Sequence, residues 1–159
     1  MKAIVVYYSF SGLTRKMAEE IARMTGAEIR ELVPEKRYSF DEHAALRELK
    51  NEVEDRLCPA LAEGLDPVGD ADIVFVGSPN WIQTFAPPVR TFLRHCDLRG
   101  KILIPFCTHG GGGIGRVVED MRAECPDSVV REGLALKTGE RPDSLELIAP
   151  FLKSVLQAE

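Results

Sequence analysis

The chain reads as an α/β domain of three layers, a five-stranded parallel sheet with helices on both faces. Three observations predict it. Five short β-rich apolar runs alternate with five stretches of helical spacing. The runs at Ala3–Tyr8, Asp72–Gly77 and Lys101–Cys107 are almost continuously hydrophobic, as strands buried on both sides are. The 159 residues, 45% hydrophobic and 28% charged, suit one packed domain and exclude a disordered or fibrous chain.

The first run, Ala3–Tyr8, follows a single lysine and leads into polar Ser9, which marks a buried strand and not a signal peptide. Met17, Ile21 and Met24 then fall at steps of four and three, and Gly26 ends that helix. The second strand is expected over Ala27–Val33. Ser39 with Glu42 offers a capping box for a second helix, whose apolar stripe is Leu46, Leu49, Val53 and Leu57. The third strand, Asp72–Gly77, is followed by a loop through Pro88 and a helix near Val89–Cys96. The fourth, Lys101–Cys107, is followed by a helix from about Gly115, carrying Val118, Met121 and Arg122, that Pro126 stops. A fifth strand at Val129–Leu136 precedes a last helix from Pro142 to Leu156, with Leu145, Ile148, Leu152 and Leu156 on one side. No repeat, low-complexity tract or linker divides residues 1–159, so a single domain is expected.

Charge and cysteine usage narrow the function classes. Twenty-five acids against twenty bases give −5, the wrong sign for a nucleic-acid surface. No apolar run reaches the roughly 18 residues of a membrane span, and a cytoplasmic protein is expected. Between Asp41 and Glu63 the acids Asp41, Glu42, Glu48, Glu52, Glu54, Asp55 and Glu63 outnumber Arg47, Lys50 and Arg56, either as a solvated helix face or as a docking surface for a basic partner. Cys58, Cys96, Cys107 and Cys125 form no CxxC pair, and with three histidines no metal site is expected. They read as reduced thiols.

In a parallel sheet the ligand crevice lies beyond the carboxyl ends of the strands. After the first strand stands Ser9-Phe10-Ser11-Gly12-Leu13-Thr14, three hydroxyls and a glycine at a helix N-terminus, where free N–H groups and the helix dipole favour an anion. Helix capping alone also accounts for such residues. The Gly-x4-Gly-Lys-Ser/Thr pattern of nucleoside triphosphate sites is missing, and Arg15 and Lys16 read as surface residues.

After the third strand comes Ser78-Pro79-Asn80-Trp81-Ile82-Gln83-Thr84, holding the chain's single tryptophan. A lone loop tryptophan often plugs a core; opposite a phosphate loop its flat face also suits stacking on a planar heteroaromatic ring. After the fourth strand, Thr108-His109-Gly110-Gly111-Gly112-Gly113-Ile114-Gly115 concentrates glycine, whose chain entropy is costly to fix unless a backbone must approach something closely. Gly110, Gly112 and Gly115 match a dinucleotide fingerprint formally, but in the wrong βα turn. A Cys-x5-Arg phosphatase loop from Cys107 fails at Gly113, a receiver aspartate is missing at Gly77–Ser78, and there is no Gly-x-Ser-x-Gly elbow. His109 is the crevice's one candidate acid/base; capping the next helix or flanking a ligand are its other readings.

Taken with the Trp81 and glycine-rich segments, Ser9–Thr14 resembles the FMN-phosphate signature of flavodoxins, Ser/Thr-x-Ser/Thr-Gly-x-Thr, and the likeness runs from Lys2 to the last helix. It implies the strand order 2-1-3-4-5 and non-covalently bound FMN. By this resemblance Ser9, Phe10, Ser11, Gly12, Leu13 and Thr14 hold the phosphate, and Pro79, Asn80, Trp81 and Ile82 border the isoalloxazine, with Trp81 stacked. Thr108, His109, Gly110, Gly111 and Gly112 would line its pyrimidine edge with backbone N–H groups. Ile82 and Gln83 replace the second aromatic and small residue common in relatives, and no aromatic covers the outer flavin face. The implied function is an electron carrier between redox partner proteins, a reductase and an acceptor, needing no catalytic residue of its own. An FMN-dependent NAD(P)H:quinone reductase is the alternative, though 159 residues leave little room for a nicotinamide domain; a non-redox scaffold is the third.

Overall fold

A computed structural model describes residues 1–39, 43–138 and 142–157, with the side chains of 43–46 and 142–144 outside the description. In chain order the elements are β1 (Ala3–Tyr7), α1 (Leu13–Thr25), β2 (Glu28–Glu31), β3 (Val33–Pro34), α2 (His43–Glu54), β4 (Leu61–Glu63), β5 (Ile73–Trp81), β6 (Thr84–Phe85), α3 (Pro87–His95), β7 (Ile102–His109), α4 (Val117–Glu124), β8 (Val129–Val130), β9 (Leu134–Lys137), a 3-10 turn (Pro142–Leu147) and α5 (Ile148–Gln157).

The main sheet runs β2-β1-β5-β7-β8, with β9 continuing beyond β8 along the same side of β7. All of these pairings are parallel. This is the expected 2-1-3-4-5 order, with the fifth strand in two pieces. The register slips by one residue between Leu103↔Val130 and Phe106↔Leu134. Pro105 lies in that gap and has no N–H to donate to a neighbouring strand, which accounts for the bulge. The second expected strand also divides: β2 stays on the sheet edge, whereas β3 leaves it to pair antiparallel with β4.

Alternation along β1 sends Val5 and Tyr7 to one face and Ile4, Val6 and Tyr8 to the other. The Val5 face packs on Met17, Ala18 and Ile21 of α1 and on Ile148, Leu152 and Val155 of α5. The opposite face packs on Val89, Phe92 and Leu93 of α3 and on Val117 and Met121 of α4. Two stripes shift from expectation. Met24 and Leu156 are exposed, and Val155 takes the place expected for Leu156 because steps of four and three from Ile148 reach it. Pro150 accounts for the late start of α5: its ring clashes with the carbonyl four residues back, so the preceding turn stays 3-10. Helix α2 ends at Glu54, with Arg56 left-handed (φ 54°), and leaves Leu57 exposed. The capping box falls outside the described residues at Glu42. Pro87 and Pro88 open α3 at its first positions, where their fixed φ suits a helix start.

The largest departure concerns the segment after the third strand, expected as a loop. Strand β5 continues through Trp81, turns at Ile82–Gln83 and returns as β6, pairing Asn80↔Phe85 and Trp81↔Thr84. Strand β7 likewise runs on to His109. The extension is supported from the side, since β5 and β7 stay in register as far as Pro79↔Thr108.

Candidate functional site

The carboxyl edge of the sheet brings three segments together: Ser9–Thr14 after β1, the β5–β6 hairpin, and Thr108–Gly115 at the end of β7. The first is organised by Ser9, whose Oγ accepts the N–H groups of Gly12 (3.1 Å) and Arg15 (3.2 Å). Gly12 stands before α1 with φ 93°, a left-handed conformation that side chains rarely adopt. The N–H groups of Leu13 and Thr14 follow at the positive end of the helix. Ser9 keeps its own hydroxyl proton to donate. Arg15 turns away from the loop, its guanidinium on Glu31 and Tyr7 Oη, so the donors here are neutral.

Hydrogen bonds tie the segments to each other. Thr14 Oγ1 and Thr108 Oγ1 lie 2.8 Å apart, buried, between the first loop and the third. When Thr108 donates, the Thr14 proton is free for a ligand. Asn80 Nδ2 donates to the Gly113 carbonyl at 2.7 Å, joining hairpin to glycine loop. Arg116 N–H donates to the Gln83 carbonyl at 2.6 Å, and a Cβ on Gly115 would stand 2.5 Å from that oxygen, so glycine there permits the close approach. At the base of the hairpin, buried Ser78 accepts the Ala86 N–H and donates to the Pro79 carbonyl, both at 2.8 Å.

Trp81 sits half-buried at the crossing of these segments. Its ring meets Tyr8, Phe10 and Tyr38 edge-on, with centroids at 5.4, 5.8 and 5.1 Å. Burial raises the phenol pKa of both Tyr8 and Tyr38 well above the ordinary tyrosine range, so both remain protonated donors. The sequence reading singled out Phe10 and Trp81 but missed Tyr8, treated only as a strand end, and Tyr38. Their signal is composition: the chain has three tyrosines, and two of them stand here. Gln83 also acquires a role the sequence did not show, as the residue on which the glycine loop rests.

His109 faces its own loop. Its Nδ1 accepts the N–H groups of Gly111 (3.1 Å) and Gly113 (3.0 Å). That nitrogen is therefore engaged and does not serve as a general base. The N–H groups of Gly110 and Gly112 are not taken by His109. Where Gly110, Gly111 and Gly113 lack a Cβ there is open space, as a surface receiving a flat ring needs. Burial pushes the Cys107 thiol up to about 12, which keeps it protonated and unreactive near neutrality. A cleft of about 380 Å³ lies on the other flank of the first loop, between Tyr8, Phe10, Arg37 and Tyr38; neither Trp81 nor the glycine loop lines it. Among the described residues no group of three or more His, Cys, Asp or Glu could hold a metal ion. No described helix is long and apolar enough to cross a membrane.

Comparison with known proteins shows what the chain as a whole is similar to. The family model described as Flavodoxin matches residues 2–148. A candidate flavoprotein from Bacteroides eggerthii has a TM-score of 0.85 at 26% identity, over 99% of this chain and 99% of that one. A flavoprotein from Lactobacillus acidophilus, solved in complex with FMN, has a TM-score of 0.70 at 21% identity, over 84% of this chain and 92% of its own. A Streptococcus pneumoniae flavodoxin shares the fold at a TM-score of 0.56 and 15% identity, over 96% of each chain. No curated protein matches the sequence.

Proposed function

The chain belongs to the flavodoxin family, and from that premise we propose that it binds one FMN non-covalently and carries electrons between redox partner proteins. The observation that carries the cofactor reading is the closure of three loops on one crevice by the Thr14–Thr108 and Asn80–Gly113 contacts. The residues present fit the group. Ser9, Ser11 and Thr14 hydroxyls and the N–H groups at the start of α1 offer neutral donors to a phosphate. Phe10 and Leu13, both partly exposed, flank it. The half-buried Trp81 offers an aromatic face beside the hairpin residues Pro79, Asn80 and Ile82, and Thr108 to Gly112 form the opposite wall.

When bound, FMN supplies the redox chemistry, accepting and releasing electrons at its ring system. The chain's own part is to bind, orient and shield. In line with that division, the crevice's histidine has Nδ1 committed to backbone and its cysteine is a buried thiol. Fluorescence titration of FMN-free protein should quench FMN at one-to-one stoichiometry, and anaerobic reductive titration should then bleach the bound flavin reversibly. Protein that takes up no added FMN contradicts the reading and leaves the scaffold alternative. One further reading is an FMN-dependent NAD(P)H:quinone reductase, supported by the exposure of Gly110 and Gly111, which leaves the glycine loop open to solvent.

A further inference from the structure

The glycine loop poses a physical problem that His109 answers. Gly110 to Gly113 are four consecutive glycines, each of which loses more conformational freedom on ordering than any other residue. A loop of this kind does not hold one shape unless something fixes its peptide groups. Four contacts do so. Asn80 Nδ2 and the Cys107 thiol donate to the Gly113 carbonyl, at 2.7 Å and 3.7 Å. His109 Nδ1 accepts the N–H groups of Gly111 and Gly113. The imidazole therefore fixes two of the four glycine peptides through one atom.

The chemistry of that atom is restrictive. An imidazole nitrogen accepts only through its lone pair, so Nδ1 carries no proton and the ring proton sits on Nε2. A proton on Nδ1 would face two N–H donors, and both bonds would be lost. His109 itself is anchored, because its carbonyl accepts the Thr138 N–H (2.6 Å) and its strand pairs in register with Lys137 of β9. The ring is thus a fixed post and the loop is wrapped on it.

We propose that His109 is a positioning residue: its neutral imidazole, with Nδ1 as acceptor, is the internal template that holds Gly110–Gly113 in the shape that receives the flavin. This role rests on the FMN reading for its purpose, but not for its existence, since the template forms in the protein alone. It also divides the loop's donors. The N–H groups of Gly111 and Gly113 serve the protein, and those of Gly110 and Gly112 are left for the ligand.

The test uses two variants and a measurement that needs no flavin. His109→Asn keeps an acceptor, Oδ1, at the position of Nδ1, whereas His109→Phe keeps a ring and loses the acceptor. In FMN-free native protein, imidazole nitrogen shifts should show the Nε2–H tautomer. The amides of Gly111 and Gly113 should be protected from hydrogen exchange. His109→Phe should lose that protection and bind FMN about 10- to 30-fold more weakly, the worth of two hydrogen bonds. His109→Asn should retain both properties within about threefold. A Phe variant with native protection and affinity overturns the proposal, and so does an Asn variant that behaves like Phe. Native protein that binds no FMN overturns the cofactor reading alone, whereas unprotected Gly111 and Gly113 amides overturn the template alone.

Discussion

Trp81 shows how a single residue can be legible in type and only partly legible in setting. Its rarity and its place after a buried strand mark it as a stacking candidate, but the three aromatic rings around it are Tyr8 just past β1, Phe10 of the first loop and Tyr38, all far from it in the chain. Each edge-to-face pair is worth about 0.5–1.5 kcal/mol beyond area burial, so the ring is oriented before any ligand arrives. Trp81→Ala should therefore weaken FMN by about one to two decades, the equivalent of ~1–3 kcal/mol of stacking, in a fluorescence titration. Unchanged affinity rules out the stacking role. Tyr38→Ala removes a brace and not the stacking face, so its loss in the same titration should be smaller. Cys107 shows a second residue-scale effect that only burial reveals. Its thiol ionises near 9 when unfolded and near 12 in the fold, so between those values the native state binds more protons than the unfolded one. Its contribution to stability is complete below about pH 9 and is lost as pH rises towards 12. Cys125, pushed up to about 11, acts in the same direction. Urea unfolding of Cys107→Ala at increasing pH should show a shallower alkaline decline than the native protein, by up to ~1.4 kcal/mol per pH unit. Parallel declines would show that Cys107 ionises alike in both states.

At the scale of elements, the strands and helices that bury a continuous apolar surface were readable, and those defined by partners were not. Strands β1, β5 and β7 announce themselves through unbroken hydrophobicity. The β5–β6 hairpin does not, because its turn residues are Ile82 and Gln83 (φ 56° and 67°) where Asn-Gly is usual. Both lie in the left-handed region, and for a β-branched isoleucine that is a true outlier. What holds the turn is tertiary: Ser78 at its base, Asn80 on Gly113, and the Gln83 carbonyl under Arg116. Strain of this kind is stored where surrounding contacts over-determine the backbone. Replacing the pair by Asn-Gly should then stabilise the protein by ~1–2 kcal/mol, since Ile82 is already 40% exposed and loses little burial. A urea midpoint that does not rise shows the turn to be unstrained. Gly77 is the opposite case, a residue with no turn to make. A Cβ there would collide with the Phe106 ring across the β5–β7 pair. Gly77→Ala should cost ~1–3 kcal/mol by overpacking, read in the same unfolding assay.

On the scale of the whole molecule, strand order decides where chemistry happens, and that order was readable only through family likeness; hydrophobic pattern establishes a parallel sheet but not which strands are neighbours. With β1 between β2 and β5, the loops after β1, β5 and β7 meet at one edge. Charge does not decide between the readings. Of the acids between residues 41 and 63, Glu52 has a carboxylate oxygen buried, and Asp41 and Glu42 lie outside the described residues. Glu48, Glu54, Asp55 and Glu63 are exposed beside Arg47, Lys50 and Arg56, and with Asp41 and Glu42 the segment keeps the acidic excess of its sequence, which suits a solvated helix face and a docking surface alike. The choice between carrier and reductase must then turn on the crevice itself. A reductase needs a nicotinamide seated against the flavin long enough for hydride transfer, and such seating draws on oriented polar groups around the ring. Here the candidate groups are committed inward: Asn80 to Gly113, His109 Nδ1 to two amides, and Thr108 to Thr14. A carrier requires only that the flavin edge be reachable by partners. FMN-loaded protein should accordingly oxidise NADPH with a quinone at no more than the rate of free FMN, and should turn over once a separate flavin reductase is supplied. Saturable NADPH oxidation by the pure protein, abolished by Trp81→Ala, would reverse the assignment.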